Sequence, residues 1–586
     1  MWWIYDRSTS SEEAQEACAL TQARPVTEMT VDVLVLGSGA GGLVSALTAK
    51  ELGLQALVVE KSVRLGGSSA LSGGGIWLPC NPLLESSGVT DTPELARQYL
   101  AAAVGDAGPS ASPERQAAFV EGALDMSLFL QRRRVRLVHS WHPDYYAQLP
   151  GGLNPGRSVE SDFVDGRPLG SLLARLPPRA APLVTLSREN GGVYRGARSF
   201  GNFRTLVRAT LRTISARLRG VELLSMGRGL VGQLLLEIQR EQIQVWTESI
   251  AAEPIIENGR IVAMTVTRDG EATLVRVRRG VLIATGGFAR NAAMREQYSP
   301  KPVAAAWTMA NMGDQGDGIK LGMSLGGVTA LMDQAWWMPA FHMPPGGRVQ
   351  FTQYERSLPG SIIVDSAGKR FFNEGVPYME VGQWMLQHHK EVPAVPSWLI
   401  FDRTYRRRYV FGARPPWITP RSWTKSGMVK TAGSISELAT QCGIDADGLN
   451  GTVTRFNEFA RSGRDDDFHR GEVPYDLHNG DPTNKPNPCL GPLLRAPFYA
   501  VPIYPGDVGT CGGLLTDQHA RVLTDEGAPI AGLYATGNAA APVSGTVYPG
   551  AGMSIAASMV FGRRAVQHMT TLEQLYYAQS IQAGSS

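Results

Sequence analysis

An α/β fold is predicted here: a parallel sheet extended by a β-meander, and interrupted by an inserted α+β domain. Three observations carry this. An apolar run, Val33–Leu36, enters the glycine loop Gly37-Ser38-Gly39-Ala40-Gly41-Gly42, and is followed by a helix-like segment to Leu52 and a second apolar run, Ala56–Val59, ending on Glu60. Two later runs, Gly280–Phe288 and Gly532–Asn538, also enter glycine turns. Between them, from about 339 to 507, the chain is richer in Trp, Pro, Tyr and His and loses periodicity.

The first observation is a strand–loop–helix–strand–acid series with G-x-G-x-x-G spacing, the pattern of a Rossmann-like dinucleotide site. Uninterrupted apolar runs suit strands buried on both faces. Gly37 allows the turn, Gly39 lets the backbone approach a pyrophosphate, and Gly42 lets helix and strand pack closely. Phosphates are expected over Ala40 and Gly41, at the helix N-terminus. Glu60 can accept from a ribose, with Lys61 beside it. A second small-residue block follows, with Gly67, Ser68, Ser69, Ser72, Gly73 and Gly74, then Ile76-Trp77-Leu78-Pro79. Such a backbone can run along a diphosphate and an isoalloxazine, so FAD is favoured over a nicotinamide.

The 586 residues allow two or three domains. The net charge of +3 is too small to suggest nucleic-acid binding. Five scattered cysteines, with no C-x-x-C pair, argue against a disulfide framework or a metal site and for a reducing compartment. The start MWWIYDRS does not read as a signal peptide, and no run is apolar enough to span a bilayer, so a cytoplasmic protein is expected.

In chain order, a tail over 1–28 precedes the first part of the FAD-binding domain, 29–338. Residues 90–135 read as helices. Trp141–Tyr146 is an irregular segment suited to a pocket wall. Within a basic insertion at about 176–235, residues 195–228 hold eight arginines against Glu222. There Phe203, Val207, Leu211, Ile214 and Leu218 recur at helical spacing, with Arg204, Arg208 and Arg212 on another side. Two readings stay open: a helix lying on an anionic membrane surface, or one with a solvated charged face. Turns at Asn258-Gly259 and Asp269-Gly270 mark a meander leading to Gly286 and Gly287. Asp317 opens a short helix. After the inserted domain, 339–507, the second FAD-binding part, 508–574, brings Gly537 and Asn538 and a helix from Ser554 to about Gln567, whose N-terminus can face a flavin edge. A frayed tail, 575–586, ends the chain.

Several pieces together resemble the flavin-dependent 3-ketosteroid Δ1-dehydrogenases of the fumarate reductase group: Pro143-Asp144-Tyr145-Tyr146, Gly368–Phe371 with Asn373-Glu374 and Pro377-Tyr378, Phe468–Glu472 with Pro474-Tyr475-Asp476, and Ser544-Gly545 with Tyr548-Pro549-Gly550. The resemblance implies four active-site positions. Tyr378 is the base for the C2 proton, and Tyr145 assists its ionisation. Tyr548 and the Gly552 N–H polarise the C3 carbonyl. Ala551 stands where that family usually has proline. It further implies non-covalent FAD, a steroid substrate, a quinone-like external acceptor and no metal. A Δ4-(5α) dehydrogenase or other ene-reductase of the same fold is the enzyme alternative. A non-catalytic flavin-binding membrane-associated protein is the alternative of another class. The basic insertion suggests cholest-4-en-3-one-like substrates taken from a membrane.

Overall fold

A computed structural model describes residues 27–179, 182–344 and 347–583, with side chains through 571. Nearly all of the predicted N-terminal tail, and the end of the C-terminal one, lie outside these residues.

The organising sheet has eight strands. Its first strand, Thr27–Leu36, is buried from Val31 onward. It pairs in parallel with Ala56–Val59 on one side and with Glu271–Ile283 on the other. Gln244–Trp246 continues the first side in parallel. Glu271–Ile283 has two sets of partners. Its first half pairs antiparallel with Arg260–Arg268, which pairs with Ser249–Glu257, so the meander forms as expected. Its last residues pair in parallel with Pro529–Ala535, Val281 opposite Leu533. The chain that returns after residue 508 thus completes the sheet begun at residue 27.

Helix Ala40–Glu51 lies against the final helix, Met553–Ala583. The approach is close because small residues face each other. A Cβ on Gly41 would overlap Ser558, and one on Gly562 would crowd Ser45 Oγ.

The intervening chain builds a separate four-stranded antiparallel sheet in the order Ser361–Val364, Ser397–Phe401, Phe498–Ile503, Lys430–Ala432. Side chains alternate, as strand periodicity requires. Ile363, Leu399 and Val501 face an aromatic core with Tyr405 and Phe411, while Ile362, Ile400 and Ala500 face helices Ile435–Cys442 and Ala446–Ser462. A short antiparallel pair, Ala335–Trp337 with Asp507–Thr510, joins the strands entering and leaving this region.

The basic insertion holds two packed helices, Ser187–Tyr194 and Phe200–Leu218. The second carries its apolar stripe outward: Phe200, Phe203, Leu211, Ile214 and Leu218 are all exposed, and Ala209 alone is buried. Arg204 and Arg208 are exposed beside the stripe. Arg212 is not. It turns inward to Glu189 on the partner helix, with 2.8 Å ion-pair contacts, and covers the Phe163 ring at 3.9 Å. Among the described residues no helix is long and apolar enough to cross a membrane.

Candidate active site

A cavity of about 570 Å³ runs from the first glycine loop to the foot of the insertion. Its nucleotide end is walled by Gly37, Gly39 and Glu60. Gly37 has φ +105°, and a Cβ there would overlap Ala284. A Cβ on Gly39 would meet nothing nearer than Ser69 Oγ at 3.7 Å, and Cβ atoms on Gly67 and Gly73 would meet nothing within 4 Å. These bare positions leave a cradle along the cavity wall at the N-terminus of helix Ala40–Glu51. This is the arrangement a diphosphate needs, so the residues present fit FAD.

Glu60 Oε2 accepts from Ser38 N at 3.0 Å and Ser38 Oγ at 2.7 Å, and Oε1 accepts from Ser62 N at 2.9 Å. The carboxylate is thereby aimed, with lone pairs left for a ribose. The second glycine block begins as a short helix, Gly67–Leu71. Ser69 Oγ accepts from Ala40 N at 3.2 Å and Ser38 Oγ accepts from Gly66 N at 3.0 Å, locking the two loops together, and Ser72 Oγ accepts from Gly74 N at 3.0 Å within the second. Gly286, Gly537 and Asn538 reach the same wall, and Trp336 Nε1 donates to Asn538 Oδ1 at 2.9 Å.

Four expected cofactor positions do not line the cavity. Ala40 and Gly41 are buried in the helix start, Gly42 lies against the Gly37 carbonyl and Val35, and Gly287 lies against Thr510. The glycines among them are needed for close packing. Lys61 and Asp317 do line it, but they form an ion pair with each other at its rim.

Asp314, three residues before Asp317, went unremarked in the sequence. It is 4% exposed and accepts from Ser68 Oγ at 3.0 Å on the cavity wall. Burial pushes its carboxyl up to about 7, with Ser68 and Lys61 pulling the other way. Its signal was the doubled acid in Gly313-Asp314-Gln315-Gly316-Asp317-Gly318. Ser38, a hydroxyl inside the glycine loop, was the other readable clue.

At the opposite end the aromatic residues converge. Ring centroids are 5.6 Å apart for Tyr145 and Tyr378, 5.8 Å for Tyr145 and Tyr548, and 5.5 Å for Tyr378 and Tyr548. Each comes from a different segment, fixed by its own anchor. Tyr145 N donates to Pro549 O at 2.9 Å, tying its loop to the Tyr548 turn. Asp144 beside it is fully buried and accepts from Trp77 Nε1 at 2.8 Å while pairing with Arg157. Tyr378 starts helix Tyr378–His388. Just ahead of it, buried Glu374 accepts from Arg370 and Arg470, and Asn373 Nδ2 donates to Asp476 Oδ2 at 2.8 Å. The tripartite motif of the inserted region is therefore the foundation under Tyr378.

Tyr548 OH lies 3.1 Å from Ser554 Oγ. Gly552, φ +92°, precedes the final helix, and a Cβ there would overlap Gly75. Its N–H donates to no acceptor among the described residues, and the residue lines the cavity. Burial holds the Tyr145 and Tyr378 hydroxyls well above 10. The neighbouring tyrosines add to that rise in both. The insertion reaches the cavity as well, through Ser187, Asn190 and Tyr194, and Tyr194 stacks on Tyr354 at 4.7 Å.

The chain matches the family described as FAD binding domain over residues 32–555. It is 42% identical to the 3-oxosteroid 1-dehydrogenase of Mycobacterium tuberculosis over 93% of this chain and 99% of that one. It is 40% identical to the 3-oxosteroid 1-dehydrogenase of Mycolicibacterium smegmatis over 92% and 96%. Among solved structures, the 3-ketosteroid Δ1-dehydrogenase of Sterolibacterium denitrificans in complex with 1,4-androstadiene-3,17-dione superposes with a TM-score of 0.88 at 36% identity, covering 92% of this chain and 99% of that one. With a dinucleotide cradle at one end of its cavity and a tyrosine cluster at the other, this chain belongs to the FAD-binding oxidoreductase family of the 3-oxosteroid 1-dehydrogenases.

Proposed function

We propose that the chain removes hydrogen from C1 and C2 of 3-keto-4-ene steroids to give 1,4-dienes, with FAD held non-covalently. The observation that carries this is the convergence of Tyr145, Tyr378, Tyr548 and the free Gly552 N–H on the cavity that also carries the dinucleotide cradle. When bound, the flavin supplies the hydride acceptor, which an external quinone-like acceptor regenerates. Tyr548 O–H and Gly552 N–H donate to the C3 oxygen and stabilise the enolate that forms as C2 loses its proton, as oxyanion-hole donors do. Tyr378 takes that proton and Tyr145 supports its anion, a division of roles taken from the resemblance. No charged side chain is needed there, and a buried unpaired charge would be costly.

The outward apolar stripe of helix Phe200–Leu218, flanked by Arg204, Arg208 and Arg217, supports docking on an anionic membrane surface and access to sterols with a side chain. The test is anaerobic reduction of the bound flavin by androst-4-ene-3,17-dione and by cholest-4-en-3-one, with mass analysis of the steroid. Bleaching with a 1,4-diene product is expected. A 4-ene product from a saturated ketone, without any 1,4-diene, would assign the Δ4 alternative.

A further inference from the structure

Behind the tyrosine pair lies a second polar cluster that the proposed reaction does not use. The Tyr475 ring is 4.6 Å from that of Tyr145, and its hydroxyl is buried with no hydrogen-bond partner among the described residues. Arg356 Nε and Nη2, Asp476 Oδ1, Asn479 Oδ1 and Glu380 Oε1 are buried and unpartnered in the same way. These side chains act on one another: Tyr475 is influenced by Arg356, Asp476, Glu380 and Asn479, and Glu380 by Asp476 and Arg356. None of them lines the substrate cavity. Glu380 lies two residues beyond Tyr378 on the same helix, and its carboxylate interacts with the hydroxyl of Tyr146, the neighbour of Tyr145. It therefore adjoins both segments that carry the pair.

Orphaned polar atoms are rare in native interiors, and a group of them close enough to act on one another is the setting in which buried water is held. The reaction also leaves a requirement unmet. Each turnover sends a hydride to the flavin and leaves a proton on a tyrosine. That proton has to leave before the next substrate can be deprotonated, yet substrate fills the cavity side.

We propose that Glu380, through Tyr475 and water held among these orphaned atoms, takes the proton from the Tyr145–Tyr378 pair. This rests on the dehydrogenase reading above. The tyrosine O–H bond breaks, its electron pair stays on the phenolic oxygen, and the proton forms an O–H bond on the Glu380 carboxylate. No electrons change hands, and the carboxylic acid later returns its proton to solvent. Glu380 is a positioning and relay residue, since it touches neither substrate nor flavin. Burial raises its proton affinity, while Tyr146 and Arg356 oppose this and Asp476 adds to it. The relay works only while Glu380 is ionised, so activity falls as pH drops through its raised pKa.

The test compares wild-type and Glu380→Gln holoenzyme in steady-state turnover of androst-4-ene-3,17-dione with excess quinone acceptor across pH, so that the between-turnover proton step is read. Expected are a slowing on the order of tenfold, below the 10²–10⁴ supplied by a direct general base, and loss of the acid limb of the rate profile. Flavin content and steroid Kd should be unchanged, and Glu380→Asp should restore the limb. Wild-type rate and an intact acid limb in Glu380→Gln would overturn the proposal alone. A wild type that no steroid bleaches would overturn the dehydrogenase reading and this proposal with it. If Glu380→Gln fails to retain flavin, Tyr475→Phe, which removes only the unpartnered hydroxyl, decides. The same slowing with an enlarged solvent isotope effect supports the relay, and wild-type behaviour refutes it.

Discussion

Tyr548 holds its hydroxyl against Ser554 Oγ at the start of the final helix, whereas the Tyr145 and Tyr378 rings meet edge to face with centroids 5.6 Å apart. A donor to the C3 oxygen can be removed without disturbing the base. Tyr548→Phe should therefore lower kcat by about 10²–10³, with flavin binding retained, as read by steady-state kinetics and the flavin spectrum. Asp314 invites a different experiment. Its folded pKa of about 7 lies above the ordinary 3.8. The stability it contributes is complete below the unfolded pKa and is lost as pH rises through the folded one. Asp314→Asn should thus stabilise flavin-stripped protein at pH 8 by up to about 4 kcal/mol, and leave it near wild type at pH 4. Thermal midpoints at the two pH values check this.

At the scale of elements, helix Phe200–Leu218 has its pattern turned inside out. Phe200, Phe203, Leu211, Ile214 and Leu218 are exposed together with Arg204, Arg208 and Arg217, and Ala209 alone is buried. Replacing Phe203, Leu211 and Ile214 by serine should change stability by only about 0.5 kcal/mol per site, because these positions bury little. Partition onto anionic vesicles should fall. Unchanged partition would dismiss membrane docking by this face. The segment leading into helix Tyr378–His388 gives the opposite case. Glu374 is fully buried, and although burial opposes its ionisation, Arg370 and Arg470 hold its carboxyl below the ordinary range. Glu374→Ala would leave buried Arg470 without its carboxylate and Arg370 with Asp465 alone, and should cost about 3–5 kcal/mol, seen as a lowered denaturation midpoint. This network joins Gly368–Glu374 to Phe468–Asp476, segments nearly a hundred residues apart in the chain.

Across the whole molecule, the cavity lies where the sheet completed by Pro529–Ala535 meets the inserted region, so it is lined by segments from both ends of the chain. A ligand bound only to the folded state adds stability by mass action. Stripping FAD should lower the thermal midpoint, and re-adding it should restore it in proportion to the logarithm of its concentration. Acid precipitation should release all the flavin, since the binding proposed is non-covalent.

Much of this was legible in one dimension. Glycine spacing followed by an acid specifies strand, turn and helix through local backbone geometry, so the dinucleotide end could be read at Gly37, Gly39 and Glu60. The tyrosines could be named only through resemblance, because nothing local to Tyr145, Tyr378 or Tyr548 distinguishes a site tyrosine from a core one. Tertiary structure alone decided that these three converge, that Gly42 and Gly287 serve packing, that Lys61 and Asp317 pair with each other, and that Asp314 is buried among cavity residues. It also decided that the amphipathic helix turns its apolar stripe outward. The physical reason is the same in each case. Periodicity and turn chemistry are properties of neighbours along the chain, whereas burial, charge pairing and the facing of a stripe depend on which distant segment arrives to cover it.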